Sequence, residues 1–303
     1  TASSSAQVIS QQVLDIKAYD EKLKKLANNP VVIVATSTAT STVRIATSTK
    51  KYLWPVKTVY PNAGALLPFN RIVAYYGNYY SKQMGVLGEY SEDIMLGKLA
   101  KEVARWQKAD PSTPVIPAIH YIATTAQLYP GKDNSYMLRM PFSQIDKSLD
   151  LAKKANGIVF LDIQVGHGSP LKETKLLEQY LKLPNVHFGI DPEFAMKDGA
   201  KPGTVVGTID AKEINDVAEY LAKVVRDNNL PPKILVIHRF TMKMVTNYQN
   251  IRPLPEVQIV MDMDGWGGKD LKKQTYSIAI YNEPVQFTGF KKNKKNDLKK
   301  ASS

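Results

Sequence analysis

The sequence predicts an α/β fold, a (β/α)8 TIM-type barrel over residues 66–290, behind an N-terminal helix and a Ser/Thr-rich arm. Three observations lead there. Short, nearly continuous apolar runs recur from Arg71 onward, amphipathic segments separate them, and most runs end in polar or ionisable residues. Strands covered on both faces read as such runs, because a parallel sheet is buried by helices on each side or closes on itself.

The runs are RIVAYYG (71–77), TPVIPAIHYIA (113–123), GIVFLDIQVG (157–166), VHFGIDPEF (186–194), KILVIHRF (233–240), VQIVMDMDG (257–265) and YSIAIYN (276–282), with VQFTGF (285–290) as an eighth candidate. Helices are expected over 83–108, 143–155, 170–183 and 211–228. Their starts are legible. Ser169-Pro170 places a capping residue before a first-turn proline, and Asp210 with Glu213 has capping-box spacing, which assigns both acids to a helix end. Strand and helix alternate without a phosphate-binding glycine loop, which favours a barrel over a Rossmann-type sheet.

Outside the barrel, residues 1–65 and 291–303 read differently. Val8, Ile9, Val13, Ile16, Tyr19, Leu23 and Leu26 make an amphipathic helix over 6–28. The stretch ATSTATSTVRIATST (35–49) buries little and reads as a linker or arm. The chain opens on Thr1 rather than Met, so a removed leader is expected.

Composition excludes several classes. No apolar stretch approaches the roughly 18 residues of a membrane span. With zero Cys there is no disulfide, thiolate zinc site or cysteine nucleophile. The net charge of +12 is concentrated in part in FKKNKKNDLKK (290–300), a solvated basic tail, and no zinc finger or basic helix points to sequence-specific nucleic-acid binding.

In barrels of this kind the site lies where the strands end. Those ends hold Tyr76, His120, Asp162, Gln164, Asp191, Glu193, His238, Arg239, Asp262, Asp264 and Trp266. Residues two apart share a strand face, so Asp162 with Gln164, Asp191 with Glu193, and Asp262 with Asp264 form same-side pairs. An unpaired buried carboxylate is costly, so acids closing three buried strands imply use. Glu193, Asp162, Asp262 and Asp191 are the candidate catalytic groups, with Glu193 as general acid/base. Tyr76, His120, Gln164, His238, Arg239, Asp264 and Trp266 are candidate substrate contacts. Asp191 before Pro192 also suits a turn, His187 sits at the opposite strand end, and His120 or His238 alone would suit a core histidine bonded to backbone.

Two carboxyl groups flanking a bond, one protonated and one ionised, are what glycosidic cleavage requires, and flat aromatic rings suit sugar faces. The expected function is therefore a carbohydrate-active, glycoside hydrolase-like enzyme without a cofactor or metal, its partner a polysaccharide or cell-wall glycan. A metal-dependent hydrolase is the alternative, since His120, Asp162, Asp191, His238 and Asp262 are all acceptable ligands, although HxH and HExxH are missing. A non-catalytic envelope or binding protein on a barrel scaffold is the third.

The segments NVHFGIDPEFAMKDGAKPGTVVGTIDA (185–211), NNLPPKILVIHRFTMKMV (228–245) and PEVQIVMDMDGWG (255–267) resemble a family of uncharacterised exported bacterial proteins, some of them lipoproteins. That resemblance, spanning about residues 70–290, implies a TIM-barrel fold like that of glycoside hydrolases and an exported, extracellular or cell-envelope location; it implies no particular reaction.

Overall fold

The computed structural model describes residues 13–30, 33–35, 45–47 and 52–292. The first part of the expected N-terminal helix, most of the Ser/Thr-rich arm and the tail beyond Lys292 lie outside those residues. Seven parallel strands form the centre: β1 (Arg71–Gly77), β2 (Val115–Ala126), β3 (Ile158–Ile163), β4 (Val186–Ile190), β5 (Lys233–Arg239), β6 (Val257–Met263) and β7 (Phe287–Phe290). They lie side by side in chain order, and every adjacent pair is parallel. A sheet wound in one direction, with crossovers between neighbours, is the barrel type of winding. Met137–Arg139 adds a short antiparallel strand beside the end of β2.

Alternation explains both faces of the sheet. On β3, Val159, Leu161 and Ile163 belong to the large core under the helices, whereas Ile158 and Phe160 face the concave side. The same split holds on β5, with Leu235 and Ile237 outward and Ile234 and Val236 inward. The inward set forms one small cluster fed by Ile72 of β1, Ile116 and Ala118 of β2, Val260 of β6 and Phe287 of β7, with Leu66 and Leu67 packed against it. First and last strands thus share one interior, which requires the sheet to curl. Among the described residues no ladder joins β1 to β7.

Beyond the N-terminal α1 (Ile16–Ala27), the outer layer consists of α2 (Glu92–Ala109), α3 (Phe142–Lys154), α4 (Pro170–Leu176), α5 (Ala211–Asp227) and α6 (Lys269–Tyr276). In α5 the buried Ile214, Val217, Ala218, Leu221 and Val225 follow helical spacing, and the capping box of Asp210 and Glu213 is formed. Ser169 stands at the α4 N-cap position, but its side chain makes no capping hydrogen bond.

Three expectations fail. YSIAIYN (276–282) is not a strand: α6 runs into a π-turn at Ser277–Tyr281, which buries Ala279 and Ile280 against the sheet. The apolar run there serves a helix end, and VQFTGF supplies the last strand instead. The expected single helices over 83–108 and 170–183 are also divided, into Val86–Glu89 and α2 and into α4 and Glu178–Leu181.

The helix Ile16–Ala27 packs on its own domain. Tyr19 is buried edge-on against Tyr60 and Phe69, and Lys22 donates to Thr113, just before β2. That places the helix at the end of the sheet where the strands begin.

Candidate active site at the strand ends

The inward column of each strand changes character toward its C-terminal end. Above Ile72, Ala118, Phe160, Val236 and Val260 stand Tyr76, His120, Asp162, His238 and Asp262. The register pairs Tyr76 with His120, Asp162 with Gly189, and His238 with Asp262 and then Gly289. These residues therefore form one polar layer across the concave face.

The layer is tightly connected. Tyr76 donates its hydroxyl to Asp162 Oδ2 at 3.0 Å. Asp162 Oδ1 lies 3.5 Å from His120 Nε2 and 3.3 Å from His238 Nε2. The other ring nitrogen of His238, Nδ1, faces Asp264 Oδ2 at 3.1 Å and Asp262 Oδ2 at 3.5 Å. Asp264 in turn pairs with Lys291, whose ammonium sits 5.0 Å above the Tyr76 ring and 5.8 Å from that of Trp266.

Two glycines make room for this. A Cβ on Gly189 would fall 2.3 Å from Asp162 Oδ1 and 2.9 Å from His120 Nε2, and one on Gly289 would fall 2.3 Å from Asp262 Oδ1. Any side chain there would occupy the space the carboxylates use.

Charges at the site are set by burial and by partners. Burial pushes the Asp162 carboxyl up, but the His238 and His120 rings outweigh it and hold the group well below the usual carboxylate range. Burial pulls His238 down, yet Asp162 and Asp264 raise it well above an ordinary imidazole. Asp264 is likewise opposed by burial and kept low by His238 and Lys291. Asp191 goes the other way: burial, helped by the charges of Asp162, Asp264 and Glu193, lifts it well above the usual range. Glu193 and Asp262 are raised too, by burial first and then by Asp264.

The expected site residues separate into three groups. Asp162, His120, His238, Asp262, Asp264 and Tyr76 come together in the polar layer. Gln164 and Asp191 lie beside it: Gln164 donates to Asp191 Oδ2 at 3.1 Å, while Asp191 Oδ1 accepts from the Glu193 amide and caps the turn Pro192–Phe194. Because β4 ends at Ile190, strand alternation does not relate Asp191 to Glu193. Glu193 is half-buried, and no hydrogen bond or ion pair to its carboxyl is found among the described residues. Trp266 stands 62% exposed on the loop after β6.

Arg239 does not belong to the site. One residue beyond His238, it faces outward, fully buried, donating to the carbonyls of Thr241, Met242 and Val245 and pairing with Glu283. It holds the loop after β5. His187 is also away from the mouth, its Nδ1 accepting from the Ile234 amide.

Sequence reasoning missed Lys291, Gly189 and Gly289. Lys291 had been counted with the solvated tail, but it continues the inward column of Phe287 and Gly289, so strand parity was the available signal. For the glycines the signal was a small residue within an apolar strand, which marks a close approach.

No family model matches the chain, and no curated protein does; the expected membership of an exported family therefore gains no support. Among solved structures, a GH5 xyloglucan-specific endo-beta-1,4-glucanase from a metagenomic library, in complex with cellotriose, is similar over 71% of this chain and 73% of its own, at 10% identity and a TM-score of 0.39. So remote a likeness carries no weight, and the functional reading rests on this chain's own residues. No helix among the described residues is long and apolar enough to cross a membrane.

Proposed function

We propose that the protein is a glycan-active hydrolase that works at the strand-end mouth of a barrel-type sheet, with Glu193 as the proton donor. The observation that carries this is the contrast between two neighbouring carboxyl groups. Asp264 is fixed as a carboxylate by Lys291 and His238. Glu193, raised by burial and then by the charge of Asp264, has no hydrogen bond or ion pair to its carboxyl among the described residues and is only partly open to solvent. Glycosidic cleavage needs this division: one carboxylic acid to protonate the leaving oxygen, one carboxylate to stabilise or attack the anomeric carbon or to activate water.

The rim supports the glycan class. The three most exposed aromatic side chains among the described residues, Tyr129 at 77%, Tyr80 at 66% and Trp266 at 62%, all lie on loops that follow strands: β2, β1 and β6. Parallel strands send those loops to one end of the sheet, above the acid layer. Uncovered rings there offer flat apolar surface for sugar C–H faces.

Asp162, an expected catalytic group, takes a supporting role in this reading. It is shut off from solvent, with Oδ2 accepting from Tyr76 and Oδ1 turned toward the His120 and His238 rings. Asp264, expected as a substrate contact, takes its place as the ionised partner, with Asp262 beside it.

The test is a screen of soluble polysaccharides and aryl glycosides with wild type and Glu193→Gln. The wild type should cleave at least one of them, and the variant should lose about 10²–10⁴-fold, the usual worth of general acid catalysis. Equal rates for the two, or no cleavage by wild type across the panel, would overturn the assignment.

A further inference from the structure

We infer that His120, Asp162 and His238 form a binding site for one divalent transition-metal ion of the zinc type. Three donor atoms on three neighbouring inward columns, His120 Nε2, Asp162 Oδ1 and His238 Nε2, lie within 4.8 Å of one another. All three are sealed from solvent, and none makes an aligned hydrogen bond. Buried polar atoms left without such a bond are rare and cost about 1–3 kcal/mol each, so three of them facing one point call for an occupant.

The spacing suits a metal. With zinc–nitrogen and zinc–oxygen bonds of about 2.0–2.2 Å, ligands at a tetrahedral angle stand about 3.4 Å apart. The two imidazole nitrogens lie 3.5 and 3.3 Å from Asp162 Oδ1. Two imidazoles and a carboxylate are a donor set suited to zinc, and three protein ligands leave a position for water or substrate.

The surrounding groups orient the ligands as metal sites require. His238 turns Nδ1 toward Asp264 and Asp262, whose negative charge favours the proton on that nitrogen and so leaves the Nε2 lone pair for the ion. Tyr76 occupies Asp162 Oδ2, leaving Oδ1 as the ligand. Gly189 clears the space between Asp162 and His120 that any larger residue would fill.

The site stands apart from the glycan assignment, since binding is read without substrate. Protein stripped with a chelator is dialysed against Zn(II), and separately against Co(II), then analysed for metal content and for visible cobalt bands. One equivalent per chain is expected, with the intense visible absorption of low-coordinate Co(II). His120→Ala and His238→Ala should each lose the equivalent, while His167→Ala, whose ring bonds the Ala200 carbonyl elsewhere, should retain it. Asp264→Asn should weaken affinity by about 10–100-fold, the usual effect of losing a carboxylate behind a ligating histidine. Far-ultraviolet circular dichroism confirms that each variant is folded. Absence of bound metal in the wild type, or retention of the equivalent in both His120→Ala and His238→Ala, overturns the proposal. Neither result touches the Glu193 assay.

Discussion

The two ends of the concave face are built from the same strands, yet they solve opposite problems. At the end where the strands begin, Ile72, Ile116, Ala118, Ile158, Phe160, Ile234, Val236 and Phe287 make an apolar plug. Basic groups buried near it have no acidic partner among the described residues: burial depresses Lys233 to about 7, and burial with the Lys233 charge depresses His187 to about 3. Two residues further along, or four on β1, the same columns bear Tyr76, His120, Asp162, His238 and Asp262, and there Asp162, His238 and Asp264 face one another. The contrast teaches that the lower layer supplies folding energy and the upper layer concentrates it into a polar site. A substitution should therefore change stability below and function above.

The largest expected stability loss lies in the lower layer. Phe160, 2% exposed and stacked beneath His120, should cost about 3–5 kcal/mol when cut to Ala, read as a shift in urea midpoint. Glu193→Gln, by contrast, should leave that midpoint within about 0.5 kcal/mol, since the swap keeps the side chain's size and breaks no hydrogen bond or ion pair among the described residues. If the two midpoints moved equally, the division of labour would be wrong.

Next comes the pH dependence of the lower end. Lys233 is fully buried, its ammonium donating to the Leu183 carbonyl, with its pKa lowered to about 7. An unfolded Lys holds its proton to about 10.4, so between these values the unfolded chain binds more protons and stability rises with pH. The slope from this group is at most about 1.4 kcal/mol per pH unit. Lys233→Met should flatten the curve of denaturation midpoint between about pH 7 and 10. An unchanged slope in the variant would show that the lysine is not carried neutral.

A smaller effect tests the boundary between the two layers. Gly189→Ala introduces a carbon 2.3 Å from Asp162 Oδ1, and forced repacking of this kind costs about 1–3 kcal/mol. It should also abolish cobalt absorption while every polar residue of the site remains. Wild-type spectra from that variant would mean that the glycine is incidental.

The smallest effect belongs to the rim. Trp266→Ala should weaken glycan affinity by about 0.5–1.5 kcal/mol, the worth of an aromatic stacking contact, and leave turnover at saturating substrate nearly unchanged. Titration calorimetry with the oligosaccharide that the wild type cleaves would measure it.

Much of this was legible before any coordinates. Apolar runs located all seven central strands, the last as the VQFTGF candidate, because strands buried on both faces need hydrophobic residues at consecutive positions. The Asp210 capping box was visible because caps depend on local hydrogen bonds. His238 and Asp262 were recognisable because strand ends in a parallel sheet share one rim. The same reasoning failed at YSIAIYN, where an apolar run serves a helix end as readily as a strand, and a short window does not distinguish the two periods.

What the sequence determined by itself was the alternation: which residues point inward, which helices are amphipathic, and that acids and histidines close the inward columns. Only the tertiary structure decided which of those groups meet. That Asp162 faces two imidazoles, that Asp264 faces Lys291, and that Gly189 leaves the gap between ligands all depend on how far the sheet curls and how its strands are staggered. Curl and stagger arise from packing across the whole interior, not from any local run of residues.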